Sequence, residues 1–181
     1  DGFSLYGNYK ITGFNCANDQ IYSENGELIS GWAIILIYRS IETRPRAIYF
    51  YDGLNSYKNE TAETYVSGFE FISDPKTQIT LLSYGGQTDS GNEGLEVRGG
   101  NNTAWIPLSN KCNPETDVFN SISSVYGWAD LEPLCVGGTT ENPDPEIMEH
   151  SMDVDTFIMN SATDGSFATH FNEGGTEINL K

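Results

Sequence analysis

The chain has 181 residues, with 26 Asp and Glu against 9 Lys and Arg, for a formal net charge of −17. A chain of this length supports one domain that buries roughly 70% of its unfolded surface, and an aromatic content of 12% argues against disorder. Nine scattered basic residues cannot build a phosphate-binding surface, so neither nucleic acid nor an anionic membrane surface is an expected partner.

No apolar run approaches the ~20 residues of a membrane span. The longest, Trp32 to Tyr38, is strand-sized, so direct membrane insertion is not expected. The start has no basic segment followed by an apolar one, so any export signal is read as already removed.

In chain order, the periodicity is that of strands. Tyr9 to Phe14 alternates. Trp32 to Tyr38 is apolar on both faces and reads as a central strand covered on both sides. Arg39 to Arg46 is the connection, and Ala47 to Tyr51 the next strand, an antiparallel hairpin partner. Glu63 to Phe71 alternates, Asp74-Pro75 breaks it, and Gln78 to Tyr84 resumes. A polar loop over residues 85–91 precedes Leu95-Glu96-Val97. Residues 117–125 carry the one helical spacing, with Val118, Ile122 and Val125 at i, i+4 and i+7 and Asp117 as cap. Residues 137–150 read as loop. Val154 to Met159, Phe167 to Phe171 and Glu177 to Leu180 read as closing strands. Short strands separated by Gly, Asn and Asp turns predict an all-β fold, an antiparallel β-sandwich with long loops and at most one short helix. Residues 1–181 are expected to form a single sandwich module.

Standard catalytic signatures are missing. No GxSxG elbow, P-loop, HExxH or dinucleotide fingerprint occurs, and His150 and His170 stand 20 residues apart. A hydrolase would need two carboxylates fixed across a cleft, and no pair is singled out by spacing. No enzymatic activity is expected.

Two acidic clusters are candidate calcium sites. Asp89, Asn92 and Glu93 lie in an oxygen-rich loop around Gly91. Asp153 and Asp155 are two apart, which on a strand places both carboxylates on one face, where a hard cation would relieve their repulsion. The alternative is that both clusters are solvated carboxylates of an acidic protein. Neither matches the twelve-residue calcium loop.

Sugars stack on exposed aromatic rings, so the tryptophans suggest a carbohydrate-binding alternative. Trp32 begins the most apolar run and reads as core. Trp105 and Trp128 lie in polar, irregular sequence and are the candidate ligand-binding rings, the alternative being that they plug the end of a sandwich. Asn59-Glu60-Thr61 and Asn101-Asn102-Thr103 match the N-glycosylation tripeptide.

The three cysteines include no CxxC pair, which excludes a zinc ribbon. In an exported protein they make one disulfide and one further thiol. Cys112 and Cys135 both sit in polar, Pro-containing sequence and are the favoured pair; three buried thiols in a reducing compartment are the alternative.

The segments Gly31-Trp32 to Arg39, Pro45 to Ile48 and Phe50-Tyr51-Asp52-Gly53-Leu54 resemble a family of domains of unknown function in large secreted bacterial surface proteins. Later landmarks agree in order. Val118-Phe119-Asn120-Ser121 is similar to the family's Phe-Asn-Ser segment, Met152 to Phe157 to its Val-Asp-x-Asp-x-Phe strand, and Gly175 to Leu180 to the strand after it. The family's loop with two Gly-Asp pairs reads Gly86-Gln87 and Gly91-Asn92 here. The resemblance implies an adhesive or fibre-forming module, secreted and displayed at the bacterial cell surface. Its implied partners are copies of itself, neighbouring modules, glycans, or a host or prey surface. Modules of this kind extend past both ends of the present sequence. Glu177 to Lys181 would then be an edge strand lacking its successor, open to strand exchange in which Phe3 and Leu5 of one copy pair beside Ile178 and Leu180 of another. The alternative is a piece of a longer protein.

Overall fold

A computed structural model describes residues 8, 10, 12–13, 33–39, 41, 46–53, 60–71, 77–84, 91–99, 104–127, 132–139, 142–143, 152–159 and 175–181. The chain divides into two compact units, Asp1–Tyr38 and Arg39–Lys181. In the first, residues 33–38 form no regular element and are exposed.

The second unit is all-β. Its strands are β1 (Thr64–Ser67), β2 (Thr77–Tyr84), β3 (Glu96–Gly99), β4 (Ile106–Pro107), β5 (Ser123–Val125), β6 (Leu134–Val136), β7 (Gly138–Thr139), β8 (Asn142–Pro143), β9 (Met152–Met159) and β10 (Glu177–Leu180). Sheet A has the order β1-β10-β3-β4, sheet B the order β2-β9-β5-β6, and β7-β8 is a separate hairpin. Among the described strands every pairing is antiparallel except that of β5 with β9, and an isolated bridge between Glu93 and Asp117 is also parallel. This is the expected β-sandwich.

Alternation sets which face is buried. Along β9, Asp153, Asp155, Phe157 and Met159 are buried, while the residues between them are half-buried. On sheet A, Val66, Val97, Ile106 and Ile178 point inward, and with Leu95, Leu108, Val118, Phe157 and Met159 they form one core. Each fully buried aliphatic side chain contributes roughly 1.5–3 kcal/mol. Beyond β1, Gly68 takes a φ of 96° and shifts the chain before Phe71 N–H donates to Gly175 O. An L side chain rarely adopts that backbone, so glycine suits the bend.

Of the strands read from the sequence, 63–71 is present as 64–67, 95–97 in part as 96–99, 78–84 and 154–159 lie within longer strands, and 177–180 is present as read, while residues 138–139 and 142–143, read as loop, pair as a hairpin. The strands read at 9–14 and 167–171 lie largely or wholly outside the described residues. Three expectations are corrected. Residues 33–38 and 47–51 make no ladder, and Ile34 to Tyr38 and Ile48 to Tyr51 are exposed. A run of apolar residues satisfies the strand pattern but cannot say whether a second layer covers it.

Residues 117–125 are not a helix; they are irregular until β5 begins. In a helix Ile122 N–H would donate to Val118 O. Here Asn113 Nδ2 donates to Val118 O, and Ile122 N–H donates to Asn120 Oδ1. Ser121, at a φ of 62°, stands outside helical space and donates its N–H to Asp153 Oδ2. Buried amide and carboxylate side chains have replaced the helical bonds.

The third correction concerns β10. It is an interior strand, paired with β1 on one side and β3 on the other, so Ile178 and Leu180 border no free edge. The proposed strand exchange at residues 177–180 has no groove to fill. Phe3 and Leu5 lie outside the described residues.

Candidate functional site

Two places concentrate chemistry. The first is the outer face of sheet A. Strand register sets Tyr65 beside Asn179 and Asn179 beside Arg98. The β3–β4 pairing of Val97 with Ile106, continued by one residue, brings Trp105 opposite Arg98. Directly opposed residues of antiparallel strands project from the same face, so these four make a cross-strand row. Beside it, Lys181 is bound to Glu96 through both main-chain and side-chain atoms.

Trp105 is half-buried, with the Arg98 guanidinium 4.2 Å and the Lys181 ammonium 4.7 Å from its ring centroid. Each such cation–π contact contributes about 0.5–1 kcal/mol at an exposed site. Arg98 also contacts Glu63 at 3.2 Å, and the Tyr65 hydroxyl donates to Glu177. That carboxylate holds the Tyr65 phenol above the ordinary tyrosine range. The ion pairs are partly exposed and contribute little to stability. They fix the side chains in place, so the face presents an aromatic ring and both signs of charge on rigid strands. Sequence reasoning singled out Trp105 but missed Arg98, Lys181 and Tyr65, since nothing local marks which residues oppose each other across strands. Trp128 lies outside the described residues.

The second place is interior. Asp153 and Asp155 share a face of β9, as their spacing requires, and both are buried, at 0% and 1% exposure. Asp155 Oδ1 accepts from Asn113 Nδ2 at 2.8 Å, with Ser124 Oγ 3.5 Å away. Burial first, and the Asp153 charge second, push Asp155 up to about 7. The solvated-carboxylate alternative is therefore overturned for this pair. Asn113 is the hub: it is fully buried and its Nδ2 also reaches Val118 O and Ile122 O. Asn110 Oδ1 accepts from Cys112 N–H and Asn113 N–H, a side-chain turn that sequence reading passed over although Asn113-Pro114 marks one. Asn113→Ala strips a donor from three acceptors and is expected to cost roughly 2 kcal/mol. Urea denaturation would show this as a lower midpoint with an unchanged slope.

The Cys112–Cys135 disulfide is present, with Cα atoms 5.4 Å apart, and joins this network to β6. Asn92 and Glu93 both donate their main-chain N–H to Thr116 O, while Asp89 lies outside the described residues. Among the described residues no three His, Cys, Asp or Glu side chains converge as a metal site. No helix there is long and apolar enough to cross a membrane. No family model matches the chain, and no curated protein or solved structure does either.

Proposed function

We propose that this chain is a non-enzymatic extracellular adhesive module of a bacterial cell-surface protein, and that the outer face of sheet A is its contact surface. One observation carries the reading. In a chain of charge −17, two of only nine basic residues stand over one half-buried tryptophan on the outer face of sheet A. Tryptophan and arginine are the side chains that most often anchor protein interfaces. The disulfide supports an oxidising compartment, in keeping with secretion. The resemblance to bacterial surface modules supplies the cellular setting.

A carbohydrate-binding module is the second reading, favoured by the position of Trp105. Arg98 and Lys181 already lie over that ring, so a stacked sugar would have to displace a cation. The experiment is binding of the labelled protein to bacterial and animal cell surfaces, with a glycan array alongside. Arg98→Ala and Trp105→Ala are each expected to lower surface binding by about tenfold, equivalent to roughly 1.4 kcal/mol, while leaving the β-type circular dichroism intact. Unchanged binding in both variants would reject this face. Tight binding to one glycan class, lost in a Trp105→Ala/Trp128→Ala double variant, would establish the second reading.

Calcium is proposed as a stabilising ion at the carboxylate clusters. Self-repulsion at −17 opposes compaction, and a divalent cation relieves it. Millimolar calcium is expected to raise the melting temperature; no change would remove both clusters as calcium sites.

A further inference from the structure

We propose that residues 46–53 are an edge guard, a strap whose Tyr49 and Tyr51 side chains cover the outer edge of β1 and keep a second copy of this chain from adding a strand there. Among the described residues, sheet A ends on β1 at one side and on β4 at the other. β4 is two residues long and includes Pro107, which has no N–H to offer a neighbour, so that edge is blunted. β1 is twice as long, contains no proline and carries Thr64, Tyr65 and Val66, side chains that favour strands.

A residue in an antiparallel pair turns its N–H and C=O either both toward the partner or both away. The Tyr51 hydroxyl donates to Ser67 O, so Ser67 turns its main-chain groups outward, and Tyr65, two residues earlier, turns the same way. Two residues back along the strap, the Tyr49 ring meets Phe69 edge-on, centroids 5.7 Å apart. The pairs 49 with 69 and 51 with 67 step in opposite directions along the two segments, which sets the strap antiparallel to β1. All four residues stay exposed, Ile48 and Phe50 at 62%, Tyr49 at 51% and Tyr51 at 49%, so the strap lies at the surface and the two tyrosines reach β1 and Phe69 with their ring ends only.

Among the described residues the strap makes no ladder with β1; the Tyr51 hydroxyl on Ser67 and the Tyr49 ring on Phe69, just past the strand, tie it there. An incoming strand would offer main-chain partners to the outward groups of Tyr65 and Ser67, but it must first displace both contacts, and that cost is what the strap adds. The fitting partner is β1 of a second copy. It is extended, its own outward edge is the same surface, and antiparallel pairing across a two-fold axis closes the contact as a dimer.

Sedimentation equilibrium in about 0.5 M salt, which screens the repulsion between acidic copies, tests this. The Tyr49→Ala/Tyr51→Ala variant is expected to dimerise at least about tenfold more tightly than the wild type, and Tyr51→Phe to show a smaller gain. Ser67→Pro removes an outward N–H and no β1–β10 bond, so adding it should return association to the wild-type level. Association unchanged in the double variant overturns the proposal. So does an increase that Ser67→Pro leaves intact, which would mark general apolar aggregation. Should the double variant lose its β-type circular dichroism, Tyr51→Phe decides, since it deletes only an oxygen, and wild-type association in it overturns the proposal.

Discussion

Replacing Cys112 and Cys135 together by serine is expected to lower unfolding stability by roughly 3 kcal/mol, the chain-entropy value for a loop of this size. The two residues are 23 apart in sequence, so the intact bond denies the unfolded chain the freedom of that loop. A native-state effect adds to it. Cys112 is fully buried, and its carbonyl accepts from Asn120 Nδ2, within the same set of side chains that holds Asn113 against Asp155. Losing the bond therefore loosens β6 and the irregular segment 110–122 together. Guanidinium unfolding of the oxidised, reduced and double-serine proteins measures this. Agreement between the reduced and double-serine forms assigns the loss to the cross-link. A loss below about 1 kcal/mol would mean that the hydrogen bonds of segment 110–122 already order it without the bond.

The strands legible in the sequence were those whose two faces differ. Thr77–Tyr84 and Met152–Met159 alternate residue by residue, and their register pairs Ile79 with Phe157 and Leu81 with Asp155. Segment 117–125 misled because Val118, Ile122 and Val125 fall at helical spacing, while the decisive partners, Asn113 and Asp153, lie several to tens of residues away. Periodicity reports what a segment prefers alone; it does not report a buried amide that takes the Val118 carbonyl. The position of β10 was illegible for a topological reason. The last strand inserts between β1 and β3 although both precede it by some 80 residues or more, and no local signal records that crossing. At the sites, spacing placed Asp153 and Asp155 on one face, yet their burial depends on β5 and the 110–122 segment covering them.

That burial makes stability depend on pH with an unusual sign for a carboxylate. Asp155 titrates at about 7 in the folded chain because desolvation, and then the Asp153 charge, disfavour its ionised form; the ordinary value is 3.8. Between those values the folded state holds a proton that the unfolded state has released, so stability falls as pH rises through this window. Below about 4 both states carry the proton and no penalty applies; above about 7 the penalty is complete, on the order of 4 kcal/mol. Other carboxylates titrate in the same range, so the informative quantity is the difference between the wild type and Asp155→Asn. Asparagine keeps an oxygen to accept from Asn113 Nδ2 and cannot ionise. Its new N–H₂ takes the place of Asp155 Oδ2, a buried atom that accepts no hydrogen bond, at a pH-independent cost of roughly 1–3 kcal/mol. Asp155→Asn should therefore be the less stable protein at pH 4 and gain on the wild type steadily up to pH 7.5. Thermal unfolding in chelator-treated buffer at both pH values reads this directly, because a bound cation would stand in for the proton and flatten the wild-type profile. A stability difference that stays constant from pH 4 to 7.5 without any cation present would show that Asp155 ionises in the folded chain as it does in water.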